Sequence, residues 1–301
     1  MVPAVPPRAV PGGTPLPAIA ALTLNAFVWG VSWWPFRQMQ AQGLHPLWCT
    51  AAVYGLSLLV IAARWPTALG RLLRTPSLWA LVLASGTTNA AFNWAVSIGD
   101  VVRVVLLFYL MPLWAVLLAR LLLHERLTRL GVLRIVLALA GAAIVLKPEG
   151  RGWPLPASLP DWLGVAGGFS FALNNVLLRR EAQRPAEARA MAMFAGGVVV
   201  SAVLATALAA AGVLPPPPAP RLAWALPVLG LALAFLAANL ALQYGAVRLR
   251  ANVTAVVMLT EILFATASAV GLGDQALTAA MAAGGLLILG AAALSAWEPE
   301  H

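Results

Sequence analysis

The stretch Gly99-Asp100-Val101-Val102-Arg103-Val104-Val105-Leu106-Leu107-Phe108-Tyr109-Leu110-Met111-Pro112-Leu113-Trp114 carries no charge after Arg103, and 149 residues after Pro112 stands Glu261. The two parts of the chain stay in register downstream. Glu125, within Leu123-His124-Glu125-Arg126, is matched by Asp274, and Gly141 by Gly290, both at the offset of 149. Upstream the offset is 150, pairing Asn89, Asn93 and Trp94 with Asn239, Gln243 and Tyr244. Polar residues embedded in apolar segments therefore recur, which marks a duplicated unit.

Composition sets the class of that unit. With 61% hydrophobic and 10% charged residues and a mean hydropathy of +0.88, the chain lacks the polar exterior of a water-soluble domain. Crossing a hydrocarbon layer takes roughly 20 helical residues at 1.5 Å each. A membrane barrel would alternate in polarity over strands of about ten residues, and Val104 to Leu118 does not alternate. The reading is an all-α integral membrane protein. Its spans fall near Leu16 to Phe36, Pro46 to Ala63, Leu78 to Ile98, Val101 to Leu123 and Leu130 to Leu146. The second set lies near Trp162 to Leu178, Ala190 to Val213, Leu222 to Val247, Ala251 to Leu272 and Ala276 to Trp297.

Basic residues orient these spans, since Lys and Arg of short loops are retained on the cytoplasmic side. With the amino terminus inside, 14 of the 19 basic residues are cytoplasmic, so both termini are expected there. Five spans per half make the halves inverted repeats, an arrangement tied to alternating access around a midplane site. The organisation read from the sequence is a cytoplasmic tail at 1–15, repeat one at 16–147, an extracytoplasmic linker at 148–160, repeat two at 161–297 and a second tail at 298–301. Pro215 to Pro218 with Pro220 reads as a stiff connector. The first apolar stretch has a repeat counterpart in the sixth span, which argues against a cleaved signal peptide.

Several function classes are disfavoured. Scattered loop arginines do not compose a nucleic-acid surface. No phosphate-binding Gly-rich loop is present to couple ATP. His45, His124 and His301 lie at loops or the terminus, away from any membrane serine, and with the lone Cys49 they offer no catalytic triad or metal set. No cofactor and no metal is expected. The partners expected are a small-molecule substrate and the lipid bilayer, with each chain enclosing its own cavity as a functional monomer.

The candidate site residues are those that place polarity or aromatic area inside spans. Glu261 lies about 15 Å from either end of the ninth span and has two readings, a protonatable coupling group or an interhelical tie. Asn89 with Asn93, and Asn239 with Gln243, are spaced four apart and share helix faces. Their amides suit a polar or zwitterionic ligand, and equally suit ties between helices. Trp33 beside Pro35 in the first span faces Asn174 and Asn175 in the sixth as repeat counterparts. Trp33, Trp94, Tyr109 and Tyr244 are read as substrate-contacting aromatics or members of the interfacial belt. Pro35 and Pro112 are candidate hinges, whereas Gly167, Gly168, Gly284, Gly285 and Gly290 read as close helix contacts.

The string Gly99 to Trp114, followed by Leu123-His124-Glu125-Arg126-Leu127, resembles the repeat signature of the EamA branch of the drug/metabolite transporter superfamily. Within it the fourth-span string is most similar to the YddG-type exporters of aromatic and other amino acids. The resemblance implies ten helices in a 5 + 5 inverted repeat and a central cavity lined by helices 1, 3, 4, 6, 8 and 9. It also implies export of amino acids or related small metabolites across the bacterial inner membrane. Many relatives carry a Glu-Pro pair in the ninth helix, where this chain reads Thr260-Glu261-Ile262, so Glu261 is a candidate by its depth alone.

Overall fold

The computed structural model describes residues 16–123, 129–145, 155–181, 183–217, 219, 221–246, 248, 257–272 and 276–294. The described residues form helices and no strand. In chain order they are α1 (Leu16–Val31), α2 (Trp33–Ala41), α3 (Pro46–Arg64), α4 (Pro66–Leu73), α5 (Pro76–Ile98), α6 (Val101–Phe108), α7 (Met111–Leu123) and α8 (Arg129–Val145). They continue as α9 (Leu159–Arg180), α10 (Ala186–Ala210), α11 (Leu222–Ala246), α12 (Thr260–Gly271) and α13 (Ala279–Leu294). Proline at the first position starts α3, α4 and α5, where its missing N–H leaves no helical bond unmade. The expected residues Ala251 to Val256, Glu125 and Asp274 lie outside the described residues.

Among the described residues, five stretches are long and apolar enough to cross a membrane: Leu16–Ala41, Pro46–Arg64, Val101–Leu122, Ala186–Ala210 and Leu222–Leu242. Helices α5 and α9 match them in length at 23 and 22 residues, and they carry the polar residues Ser85, Thr88, Asn89, Asn93, Asn174 and Asn175. Large apolar side chains such as Leu59, Leu83, Leu121, Val203, Leu226 and Leu286 are exposed around the bundle, the surface a hydrocarbon solvent requires. The chain is a multi-pass membrane protein. Helix α4 is an addition to the expected elements, a short amphipathic helix between two spans.

Three of the expected spans are discontinuous. The first breaks at Ser32, whose hydroxyl donates to Trp29 O at 2.9 Å, and Pro35 has no N–H to return to Val31 O. The fourth breaks at Tyr109 and Leu110, where Leu110 N bonds Leu107 O at 3.2 Å in a tightened turn and Pro112 has no N–H for Phe108 O. The ninth breaks at Leu259, which lies 149 residues after Leu110. No proline is there. Instead the Thr260 hydroxyl donates to Val257 O at 2.6 Å and takes over a carbonyl that the next helical N–H would use.

Close helix approach is set by missing side chains. Gly86 on α5 meets the backbone of Gly196 on α10, and Gly168 on α9 meets Phe108 O at the end of α6. A Cβ on Gly141 of α8 would lie 2.6 Å from Gly284 O of α13, and one on Gly284 would lie 2.7 Å from Gly141 O. The partner of Gly141 is thus Gly284. Gly290, the residue at the 149 offset, has nothing within 4 Å of its Cβ position, so the expectation that it serves close contact is corrected.

The opening stretch of sequence builds a junction. Asp100 caps α6 by accepting from Arg103 N at 2.8 Å. Arg103 then grips Asp161 at the start of α9 with two bonds, Nε to Oδ1 at 2.7 Å and Nη2 to Oδ2 at 3.0 Å, and donates to Val145 O at the end of α8 at 2.7 Å. Arg37 adds donations to Val96 O and Gly99 O. Asp161 lies just before the apolar span that begins at Trp162. Burial alone would raise its pKa, but the Arg103 hydrogen bond and the Ala157 backbone N–H outweigh it and hold the carboxyl below its ordinary range.

Two stability outcomes follow from these contacts. Gly141→Val should lower the melting temperature in detergent, with overpacking worth about 1–3 kcal/mol, while Gly230→Ala, where nothing lies within 4 Å of the Cβ position, should leave it unchanged or raise it. A carboxyl whose folded pKa is depressed stabilises above its unfolded pKa, and that contribution is lost as pH falls through the folded value. Asp161→Asn should therefore melt lower than the parent at neutral pH, and the gap should close as the pH is taken below about 4. Thermal scans across pH check both.

Candidate functional site

A cavity of about 370 Å³ lies among α1, α3, α5, α9, α10, α11 and the breaks before α7 and α12. That volume is within the roughly 300–1,000 Å³ usual for small-molecule sites. Its polar wall consists of Asn25, Ser85, Thr88, Asn89, Asn174, Asn175, Asn239 and Glu261, with the hydroxyls of Tyr54 and Tyr109. Its apolar wall is largely aromatic and sulfur-bearing: Trp29, Phe92, Phe108, Phe171, Phe194 and Phe235, with Met111, Met193 and Met258.

The aromatic groups brace one another. Trp29 stacks on Phe235 with centroids 4.6 Å apart and planes at 15°. Phe108 meets Phe92 at 4.9 Å and Phe171 at 5.4 Å, so α5, α6 and α9 share one aromatic seam.

Helix geometry explains the polar wall. Asn89 lies one turn beyond Ser85 on α5, gives its amide N–H to Ser85 O at 2.9 Å, and accepts the Tyr54 hydroxyl at 2.6 Å. Asn25 donates Nδ2 to Ala238 O on α11 at 2.8 Å. The carbonyl oxygens of Asn25 and Asn174 are buried and have no hydrogen-bond partner among the described residues. At the two breaks, the Tyr109 hydroxyl donates to Glu261 Oε2 at 3.0 Å and also lies 3.3 Å from Met258 O. One side chain thus contacts both flanks of the opposite break.

Of the residues expected from sequence, Asn89, Tyr109, Asn174, Asn175, Asn239 and Glu261 line this cavity. Four others stand elsewhere. Trp33 is buried behind it, donating Nε1 to Ser268 Oγ at 2.9 Å and covered by the Arg37 guanidinium. Asn93 is buried against α3, giving Nδ2 to Thr50 Oγ1 at 3.1 Å. Trp94 packs edge-on against His45, the N-cap of α3, whose pKa is lowered by burial. Tyr244 is exposed under the Arg248 guanidinium. The side chains of Gln243 and Pro112 lie outside the described residues.

Residues not anticipated include Tyr54, Phe92, Phe235 and above all Asn25. Asn25 lies one turn before Trp29, outside the Trp33 to Pro35 stretch whose counterpart in the sixth span holds Asn174 and Asn175, so the repeat gave no signal for it. Tyr54 and the phenylalanines had none either, since an aromatic residue in an apolar helix reads as packing.

A solved crystal structure superposes on the chain with a TM-score of 0.56 and 22% sequence identity, covering 92% of this chain and 96% of that one, which shows a shared fold. Among curated proteins no sequence match was found. Residues 16–147 match the sequence profile of the EamA-like transporter family.

Proposed function

We propose that the protein is a secondary transporter that exports small metabolites, aromatic and other neutral amino acids or their relatives, from the bacterial cytoplasm by alternating access. The observation that carries this reading is the cavity wall itself, to which both halves of the chain contribute polar residues, among them Asn89 and Asn239 at the 150-residue offset. The proposed architecture is ten spans in a 5 + 5 inverted repeat, residues 16–147 and 161–297, with both termini cytoplasmic. Packing supports it: α1 lies against α11 and α12, while α9 lies against α5, α6 and α7, which is the same set with the halves exchanged. Paired breaks near a shared cavity supply the irregular backbone that carriers use at midplane sites. The cavity is enclosed within one chain, which supports action as a monomer.

A second reading, proton-coupled efflux, is favoured by one observation: Glu261 stands in the cavity wall with its carboxyl on the Tyr109 hydroxyl. Tyr109 has a single proton to give. With Glu261 ionised it goes to the carboxylate; with Glu261 protonated the carboxyl can donate to Tyr109, and the phenol can donate to Met258 O. Protonation would then change which flank of the Leu259 break the phenol holds.

Reconstituted protein should show saturable efflux of labelled neutral amino acids or amines that excess unlabelled compound inhibits; flux linear in concentration would identify a channel. Glu261→Gln should fold with a near-parental melting temperature and lose most of the pH dependence of flux between about pH 5 and 8. An unchanged pH profile would leave Glu261 as an interhelical tie.

A further inference from the structure

We infer that α4 is an interfacial helix that docks on the bilayer surface and, with Arg64 and Arg74 at its two ends, binds the headgroups of acidic phospholipids. This surface lies outside the cavity and does not depend on what the cavity carries. Helix α4, Pro66–Leu73, links the end of α3 to the start of α5, and three kinds of residue divide its circumference. Ala68 and Leu72, four apart, are buried in the cluster that also holds Ile61 of α3 and Leu78 of α5. Trp65 at the N-cap, Leu69 and Leu73, again four apart, are 37%, 45% and 60% exposed. Thr67, Gly70, Arg71 and Arg74 complete the turn as a polar side.

A helix with two apolar stripes, only one of them packed on protein, needs a second apolar medium. Its neighbours identify that medium. Leu59 and Val60 in the last two turns of α3, and Trp79 and Leu83 in the first two turns of α5, are also exposed, where the two spans meet hydrocarbon. The outward stripe of α4 extends this lipid-facing surface from the end of one span to the start of the next. An apolar stripe flanked by tryptophan and arginine suits the depth of the headgroups.

The charges choose the lipid. No acidic residue lies between Arg64 and Arg74. Arg71 is taken by Glu187 at the start of α10, a pair that fixes α4 to the bundle. Arg64 rests over the Trp65 ring, 5.2 Å from its centroid, and neither Arg64 nor Arg74 has a carboxylate partner among the described residues. A zwitterionic headgroup balances its own phosphate, whereas an acidic one brings a net negative charge to these two guanidinium groups. Each basic residue held at an anionic membrane surface favours it by about fivefold.

For the test, the full-length protein is reconstituted in phosphatidylcholine vesicles that contain increasing fractions of brominated phosphatidylglycerol or brominated phosphatidylcholine. The Trp65 signal is the difference in fluorescence between each background and the same background carrying Trp65→Phe. Both lipids should quench Trp65, with half-maximal quenching at an at least about fivefold lower fraction of the phosphatidylglycerol. Raising the salt from about 0.05 to about 0.5 M should narrow that gap. Arg64→Gln with Arg74→Gln should abolish it, Arg64→Lys with Arg74→Lys should keep most of it, and Arg221→Gln, at the start of α11, should leave it unchanged. Quenching by neither lipid would show that α4 stands clear of the bilayer, covered by another protein surface, and would overturn the inference. Equal quenching by both lipids, a gap that survives in the folded Gln double variant, or a gap lost equally in Arg221→Gln would overturn it as well.

Discussion

Arg103 is the tie on which the arrangement of helices depends. A single guanidinium caps the approach of α9 through Asp161, closes the free carbonyl end of α8 at Val145, and sits in the first turn of α6, whose own start is fixed by Asp100. The fork geometry matters, since two parallel bonds to Asp161 set an orientation as well as a distance. Gly99 belongs to the same unit. Its carbonyl accepts from Arg37, and Pro160, next to Asp161, occupies the space that a side chain there would fill. Helices from both halves therefore meet at one charged junction, and α6 leads from that junction toward the cavity.

At the far end of α6 the constraint is of a different kind. Within a hydrocarbon layer an unpaired backbone group has no water to turn to, so a helix can be broken only where other groups take over its bonds. Each break here meets that condition with a local substitute: the Ser32 hydroxyl at Trp29 O, a tightened turn at Leu110, and the Thr260 hydroxyl at Val257 O. The aromatic seam of Phe92, Phe108 and Phe171 then fills the space beside the break without adding polar groups. A cavity results because broken helices leave both backbone and side chains short of neighbours at the same depth.

Much of this was legible in the sequence, and the failures are instructive. Continuous apolar stretches located the helices to within a few residues, because the hydrocarbon layer imposes length and polarity together. The polar residues of α5 and α9 pointed to the cavity for the same reason: Asn89 and Asn174 lower the apolarity of their helices at positions that a bilayer otherwise penalises. Period alone could not tell which of two residues one turn apart faces the cavity. Asn89 lines it, while Asn93 turns to Thr50, a difference decided by the rotation of α5 against α3. Trp33 and Trp94 stand away from the cavity, Trp33 with its indole hydrogen-bonded to Ser268 and Trp94 in edge contact with His45, uses that sequence alone does not separate from ligand contact. Helix α4 went unread because an eight-residue amphipathic segment between two spans looks like a basic loop.

The fourth and ninth of the expected spans break at Leu110 and Leu259, 149 residues apart, by different chemistry, and the difference is what places an acid in the cavity. In the first half Pro112 ends the run of backbone bonds, and a proline position carries no polar group. In the second half the Thr260 hydroxyl interrupts the ladder one residue earlier, so the proline position is free to hold another side chain, and it holds Glu261. Glu261 then meets Tyr109, which stands at the break of the first half, while the Tyr109 hydroxyl also lies near Met258, just before the break of the second. The two broken segments are thereby joined by one phenol at the points where each is least constrained by its own backbone. A displacement of either break must stretch that contact or carry the other break with it, so the position at which the two segments differ most in chemistry is also the one that links them.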